Sequence, residues 1–305
     1  MEIPAELRRM PPSTTLSWVA GHFGPGARVT RVSRLRNAWA AAVHAVDVAD
    51  GSGERHELVV RRWSRTDIPP DRGVVENEAA ALTLLASAAG VTTPALVATD
   101  PSALRADAPT LVMTRLAGSD ELAPGDLDRF LDGLVAALRA IHAIPVPDGA
   151  LGTYSPWGID GLTDPPPWSR RPDVWRRAFE IARRPVPAYA RVLCHRDFHP
   201  GNVLWRHGRV TGIVDWTHAC LGPAAADVAH CRANLALLFG LDVADEFAQR
   251  YGAVDDLAWF DIVDVAGWGP LDTWRWHDAG RVDLTEESVA GAFDDFLGAA
   301  VERIN

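Results

Sequence analysis

Val192-Leu-Cys-His-Arg-Asp-Phe-His-Pro-Gly-Asn-Val-Leu-Trp205, followed by Gly212-Ile-Val-Asp-Trp216, is the stretch that decides how this chain reads. Its polar members, His195, Asp197, Asn202 and Asp215, stand between short apolar segments of β character, VLW and VTGIVDW. Upstream, residues 28–63 read as strands and tight turns. VTRVSRL, AAVHAVDV and HELVVRRW carry β-branched residues at extended spacing, and Asp50-Gly51-Ser52-Gly53 turns the chain between the last two. A helix is expected from about Arg72 to Ala88, with Val75, Glu78, Leu82 and Leu85 on one face and Gly90 beyond its end. ALVAT and TLVMTRL read as two more strands. Past Gly125-Asp126 an amphipathic helix gathers Leu127, Phe130, Leu131, Leu134, Leu138 and Ile141 on one face. Residues 145–175, rich in Pro, Gly and Trp, read as an irregular insertion, and the chain from Ala224 onward as mostly helical.

The oxygen ligands of Asn202 and Asp215 suit Mg²⁺, which keeps several waters and binds through substrate phosphates. A carboxylate five residues before the Asn can accept a proton from an attacking hydroxyl. One base and two metal-holding groups is the division of labour of kinase phosphoryl transfer.

His-x-Asp-x-x-x-x-Asn, a short hairpin and then an Asp resemble the protein-kinase-like fold. His195-Arg-Asp-Phe-His-Pro-Gly-Asn-Val-Leu204 with Ile213-Val-Asp-Trp216 resembles the aminoglycoside phosphotransferase family of small-molecule kinases, and Leu221-Gly-Pro-Ala-Ala-Ala-Asp227-Val-Ala229 is similar to that family's Gly-x-Pro…Asp-Leu-Ala segment. The resemblance extends more loosely from about residue 28 to the C-terminus. It implies an α+β, two-lobed fold. A small β-rich N-lobe with one helix would span residues 1–116 and end at the hinge, and a larger, mostly helical C-lobe would span 117–305. It also implies an enzyme that moves the γ-phosphate of ATP or GTP to an alcohol group, with Mg²⁺ and a small hydroxylated acceptor.

Site residues carry over one by one. Asp197 is the expected catalytic base, and Asn202 and Asp215 the expected metal ligands. Arg61 stands where most kinases place a strand Lys, and Arg can still contact phosphate oxygens. Arg62 would point to the opposite face by the period-two rule. Glu78 lies on the apolar stripe of its helix, and an acid there needs a partner, which makes it the expected mate of Arg61. Thr114 and Leu116 sit on the strand that would offer main-chain groups to an adenine edge; a plain buried strand is the bland alternative. Between Arg34 and Val43 no Gly is present to let backbone approach phosphate closely, and Asn37 is the candidate side-chain contact there. His195 reads as a supporting residue that bonds backbone around the loop, and Asp227 as a helix cap or a bond to the catalytic loop. His142 reads as a packed structural histidine, His199 and His218 as loop residues, and the Trp set at 157, 168, 175, 259, 268, 274 and 276 as mostly core.

Composition narrows the field. The chain has 305 residues, 48% of them hydrophobic, which is enough to bury a sizeable core. Its formal net charge is −10, which disfavours nucleic acid or an anionic membrane as the main partner. All 30 Lys+Arg residues are Arg, so chemistry that needs a lysine amine is excluded. Cys194, Cys220 and Cys231 are too few and scattered for a disulfide framework or a zinc site, and their odd number fits a reducing cytoplasm. The start lacks the apolar core of a signal peptide, and no stretch reaches membrane-span length. A cytoplasmic monomer or homodimer is expected.

A protein kinase is the first rival, but Asp215 to Asp227 leaves too few residues for a phosphorylatable activation loop, so Arg196 has no such loop to receive. A non-catalytic pseudokinase is the second. Its usual mark is a lost base or metal ligand, and Asp197, Asn202 and Asp215 are all present. The acceptor stays open among aminoglycosides and other antibiotics, with antibiotic resistance as the biological outcome, and metabolites such as choline, homoserine or sugars. Asp255, Asp256, Asp261, Asp264, Asp272 and Asp278 could hold a polyamine, and Trp-rich walls a quaternary ammonium.

Overall fold

The computed structural model describes residues 5–35, 41–64, 73–159, 161, 164–267 and 273–304. Asn37, Trp268 and Asp272 lie outside the described residues. The chain divides into two compact units. The first holds residues 1–88, 92–117 and 212–218; the second holds 89–91, 118–211 and 219–305.

The first unit begins with two helices, α1 (Ala5–Arg8) and α2 (Ser13–Gly21). Strands β1 (Arg28–Arg34), β2 (Ala42–Ala49) and β3 (Arg55–Arg62) follow, then helix α3 (Val74–Leu85), then β4 (Leu96–Asp100) and β5 (Thr110–Thr114). The five strands form one antiparallel sheet in the order β1-β2-β3-β5-β4. Asp50 ties the β2–β3 turn: its Oδ1 accepts from the Ser52 and Glu54 N–H groups, both at 2.9 Å. Period-two alternation sorts the sheet residues. Val46 and Val48 of β2 and Leu58 and Val60 of β3 pack with Val19 and Ala20 of α2 in one apolar cluster. Residues of the other parity face away from that cluster, and this alternation separates the roles of Arg61 and Arg62. On α3 the buried positions are Val75, Glu78, Ala81, Leu82 and Leu85, the stripe expected from spacing.

The second unit is mostly helical. Helix α4 (Leu127–His142) starts where Asp126 caps it, its side chain accepting from the Arg129 N–H at 3.1 Å, a bond worth about 1 kcal/mol. Phe130, Leu131, Leu134, Leu138 and Ile141 are buried, each contributing roughly 1.5–3 kcal/mol. After a long irregular stretch come α5 (Pro172–Ala182) and the short strands β6 (Val192–Cys194), β7 (Val203–Arg206), β8 (Arg209–Ile213) and β9 (Cys220–Gly222). Helices α6 (Ala224–Phe239), α7 (Leu241–Tyr251), α8 (Leu257–Ala266), α9 (Thr273–Asp278) and α10 (Glu286–Ile304) complete the chain.

Two expectations change. VTGIVDW is not extended throughout: β8 ends at Ile213, and Asp215 adopts a left-handed backbone with φ 67°. Among the described residues the first unit carries three α-helices rather than the one expected, because α1 and α2 precede the sheet and α2 packs on its apolar face. No helix among the described residues is long and apolar enough to cross a membrane.

Candidate active site

In the first unit the sheet and α3 bring three charged side chains together. Arg61 leaves β3 on the face opposite the α2 cluster. Its Nη1 lies 2.6 Å from Glu78 Oε1 and 2.9 Å from Asp215 Oδ1. Arg61 is 4% exposed and Glu78 fully buried. Burial pushes the Glu78 carboxyl up to about 7 against the pull of Arg61, with Asp215 adding to the rise. Arg61 is also buried, but Asp215 and Glu78 outweigh that cost and hold it above its ordinary range, so it stays a cation. The guanidinium lies over the Trp63 ring at 4.9 Å, and among the described residues its buried Nε has no hydrogen-bond partner.

Asp215 accepts from Thr217 Oγ1 at 2.7 Å, and Asn77 Nδ2 donates to the Thr217 carbonyl at 2.9 Å, so α3 grips the Asp215–Thr217 segment. Left-handed backbone is tolerated best by Gly, Asn and Asp, and the position is an Asp. Thr114 ends β5 with its N–H on the Ala95 carbonyl (2.9 Å) and its Oγ1 accepting from the Ala95 N–H (2.8 Å). Leu116 lies past the strand's end and packs on Gly212, where a Cβ would come within 2.3 Å of Leu116 Cδ1.

In the second unit the loop after β6 carries the other candidates. Asp227, fully buried in the first turn of α6, accepts from the His195 and Arg196 N–H groups, both at 2.7 Å, and lies 3.1 Å from His142 Nε2. Burial alone would raise its carboxyl, but His142 and the amide donors hold it below the usual carboxylate range. Of the two roles expected for Asp227, the bond to the loop is the one observed. Arg196 sits at φ 70°, a strained backbone for a bulky residue. Its guanidinium is clamped 4.5 Å over Tyr154 and 4.1 Å over Trp157 and donates to the Ser155 carbonyl. His195 is buried, and its Nδ1 accepts from the Asp197 N–H at 3.3 Å.

Pro200–Asn202 forms one 3₁₀ turn, capped by His199 Nδ1, which accepts from the Gly201 N–H at 3.1 Å. A Cβ at Gly201 would meet the His199 ring at 2.7 Å, so the cap needs glycine. The turn returns Asn202 to Asp197. Asn202 Nδ2 donates to the Asp197 carbonyl at 2.8 Å and to Asp197 Oδ2 at 3.0 Å. With its amide nitrogen so engaged, Asn202 keeps Oδ1 as the atom that could hold a cation. Asp197 is 29% exposed at its side chain.

The sequence did not single out His230 of α6. Its Nε2 lies 3.1 Å from Asp197 Oδ1, and its Nδ1 lies 3.0 Å from Asp264 Oδ1. No motif joins residues 197, 230 and 264, so only the helix packing reveals them.

The structure thus brings Arg61, Glu78 and Asp215 together in the first unit, and His195, Asp197, Asn202 and Asp227 in the second. Two of the acids considered for a polyamine, Asp261 and Asp264, are engaged internally. Arg232 Nε donates to Asp261 Oδ1 at 3.1 Å, Arg303 lies 3.7 Å from Asp261 Oδ2, and Asp264 pairs with His230. Trp175, Trp259 and Trp276 are buried core residues, and Arg196 covers a face of Trp157.

Comparison with known proteins follows this geometry. None of the curated proteins searched matches the sequence. Among solved structures, a thermostable mutant of aminoglycoside phosphotransferase APH(4)-Ia, in ternary complex with ADP and hygromycin B, is 18% identical with a TM-score of 0.61, over 95% of this chain and 98% of that one. The GDP and kanamycin complex of APH(2")-IIia is 17% identical with a TM-score of 0.62, over 95% and 98%. Amicoumacin kinase hAmiN, in complex with AMP-PNP, Ca²⁺ and Ami, is 13% identical with a TM-score of 0.58, over 94% and 91%. These likenesses give the fold: α+β and protein-kinase-like, with a five-stranded antiparallel sheet and a larger helical part. A family profile described as the phosphotransferase enzyme family matches residues 31–268, and with the Asp197–Asn202 loop and the Arg61–Glu78 pair in view, the chain belongs to that family.

Proposed function

We propose that this protein is a small-molecule kinase that transfers the γ-phosphoryl group of ATP or GTP to a hydroxyl of a small acceptor. In this reading residues 1–116 hold the nucleotide and 117–305 present the acceptor. The observation that carries it is the Asp197–Asn202 pair. A partly exposed carboxylate is held at Oδ2 by an amide whose own oxygen is left for a cation.

Asp197 orients the acceptor hydroxyl. As the acceptor oxygen bonds to the γ-phosphorus and the bond to the departing diphosphate breaks, the hydroxyl proton passes to Asp197. Arg61, kept cationic by Asp215 and Glu78, contacts phosphate oxygens. Main-chain groups around Thr114 and Leu116 receive the adenine or guanine edge. The Thr114 N–H is already given to Ala95, which favours Leu116. Asn202 and Asp215, both oxygen donors, fit Mg²⁺, which when bound neutralises phosphate charge. His195 and Asp227 fix the loop that carries Asp197.

Aminoglycosides are one acceptor class, suggested by the hygromycin B and kanamycin of the related structures. A neutral or singly charged metabolite is the second reading. The internal pairing of Asp261 and Asp264 favours it, because those carboxylates are not available to a polycation.

The test is nucleoside diphosphate release from Mg·ATP and Mg·GTP with kanamycin, hygromycin B, erythromycin, choline, homoserine and glucose. Acceptor-dependent release supports the reading. Nucleotide binding without release from either nucleotide, with every acceptor and with water, supports a pseudokinase instead.

A further inference from the structure

We propose that His230, held from behind by Asp264, is the positioning residue that fixes the Asp197 carboxylate for phosphoryl transfer. The inference rests on the reading of Asp197 as the group that faces the acceptor hydroxyl.

The geometry is a chain of three residues from three elements. Asp264 on α8 faces His230 Nδ1 with Oδ1 at 3.0 Å and Oδ2 at 3.3 Å. His230 on α6 presents Nε2 to Asp197 Oδ1 at 3.1 Å. Asn202 holds the other Asp197 oxygen at 3.0 Å. Both carboxylate oxygens therefore have a protein donor, and the plane of the group is set from two sides.

A neutral imidazole has one donor and one acceptor nitrogen. Here both nitrogens face carboxylates, which only accept, so both must carry a proton. His230 is an imidazolium between two anions. Burial opposes that charge, but Asp264 and Asp197 outweigh it and push the group up to about 10. Asn234 Nδ2 lies 3.4 Å from His230 Nε2 but donates at 2.9 Å to the His230 carbonyl, and the Asp197 oxygen, at 3.1 Å, is nearer to Nε2. His199 Nε2 lies 3.9 Å from the same Asp197 oxygen, and Trp157 meets the ring at its edge.

Two consequences follow. His230 already carries both ring protons, so it cannot take the acceptor's; that proton stays with Asp197. His230 and Asn202 also hold the Asp197 carboxylate from both sides, so that it presents one fixed direction to the acceptor hydroxyl.

The test uses the full chain. Long-range ¹H–¹⁵N histidine spectra at pH 8 should show one doubly protonated imidazole, absent in His230→Gln and shifted in both Asp264→Asn and Asp197→Asn. ADP release from Mg·ATP with water as acceptor should fall about 10–100-fold in kcat in His230→Gln and less in Asp264→Asn, with KM for Mg·ATP within about twofold. Thermal melts of both variants identify any that fail to fold, and the wild-type spectrum then decides. A neutral His230 at pH 8, or a folded His230→Gln with wild-type kcat, overturns the proposal. If Asp197→Asn itself keeps full turnover while the His230 spectrum is as expected, the reading of Asp197 fails and the ion chain stands as structure alone.

Discussion

Arg61 and Arg62 are neighbours on β3, yet their guanidinium groups work on opposite faces of the sheet. Arg61 meets Glu78 of α3 and Asp215, whereas Arg62 donates to Asp107 and to the carbonyls of Leu7 and Arg9 at the end of α1. Arg62 thus fastens the first helix to the sheet, and strand parity assigns the two arginines different work.

Steady-state kinetics should separate them. Arg61→Met is expected to raise the nucleotide KM by about tenfold or more, the scale of a lost charge-assisted hydrogen bond. Arg62→Met should leave that KM nearly unchanged and instead lower the melting temperature, because Asp107 and two carbonyls lose their donor. The opposite pattern would place the phosphate contact on the other face.

Asp197→Asn and Asp215→Asn should fail differently. The first is expected to cut kcat about 10²–10⁴-fold while Mg-nucleotide still binds. The second should weaken Mg-nucleotide binding and turnover together. Calorimetric titration with Mg·AMP-PNP, alongside turnover, reads both. Normal Mg-nucleotide affinity in Asp215→Asn would remove it from the metal site.

Asp227→Ala is expected to cost about 3–5 kcal/mol in urea unfolding, as loss of one partner from a buried charged network does. It strips the His195 and Arg196 amides of their acceptor and leaves His142 facing a cavity. A loss below 1 kcal/mol would show that the loop finds other partners.

His44 gives a pH signature outside the site. Burial, then Arg62 and Arg34, lower its imidazole to about 4. The folded state keeps it neutral, while the unfolded chain protonates near 6.5. Between those values the unfolded state binds more protons, so stability is full above about 6.5 and declines as pH falls toward about 4. Melting temperatures across that window should drop in the wild type and drop less in His44→Phe.

The legible parts of this protein were those with a local period or a fixed spacing. The α3 stripe set Glu78 against the sheet, β3 parity turned Arg61 toward it, and the α4 face from Leu127 to Ile141 was visible from its apolar residues alone. The Asp197–Asn202 interval was readable because one tight turn spans it. His230 was silent, and Asp264 counted only among the acids weighed for a polyamine: each is an ordinary residue on its own helix, and α6 against α8 is a tertiary event that no window of sequence contains. The same holds for the carboxylates weighed as a polyamine site. Composition counts Asp261, but only packing reveals that Arg232 and Arg303 already hold it.

Gly212–His218 belongs to the first unit, although it follows the loop that carries Asp197. The first unit is therefore not one uninterrupted length of polypeptide. A chain ending at Ala117 would keep the sheet, α3 and the Arg61–Glu78 pair, but would forfeit Asp215, Thr217 and the segment that Asn77 grips. The first unit cannot be inherited, shuffled or dissected as a simple N-terminal block. Any fragment meant to bind nucleotide as the whole does must carry Gly212–His218 as well, grafted or supplied in trans.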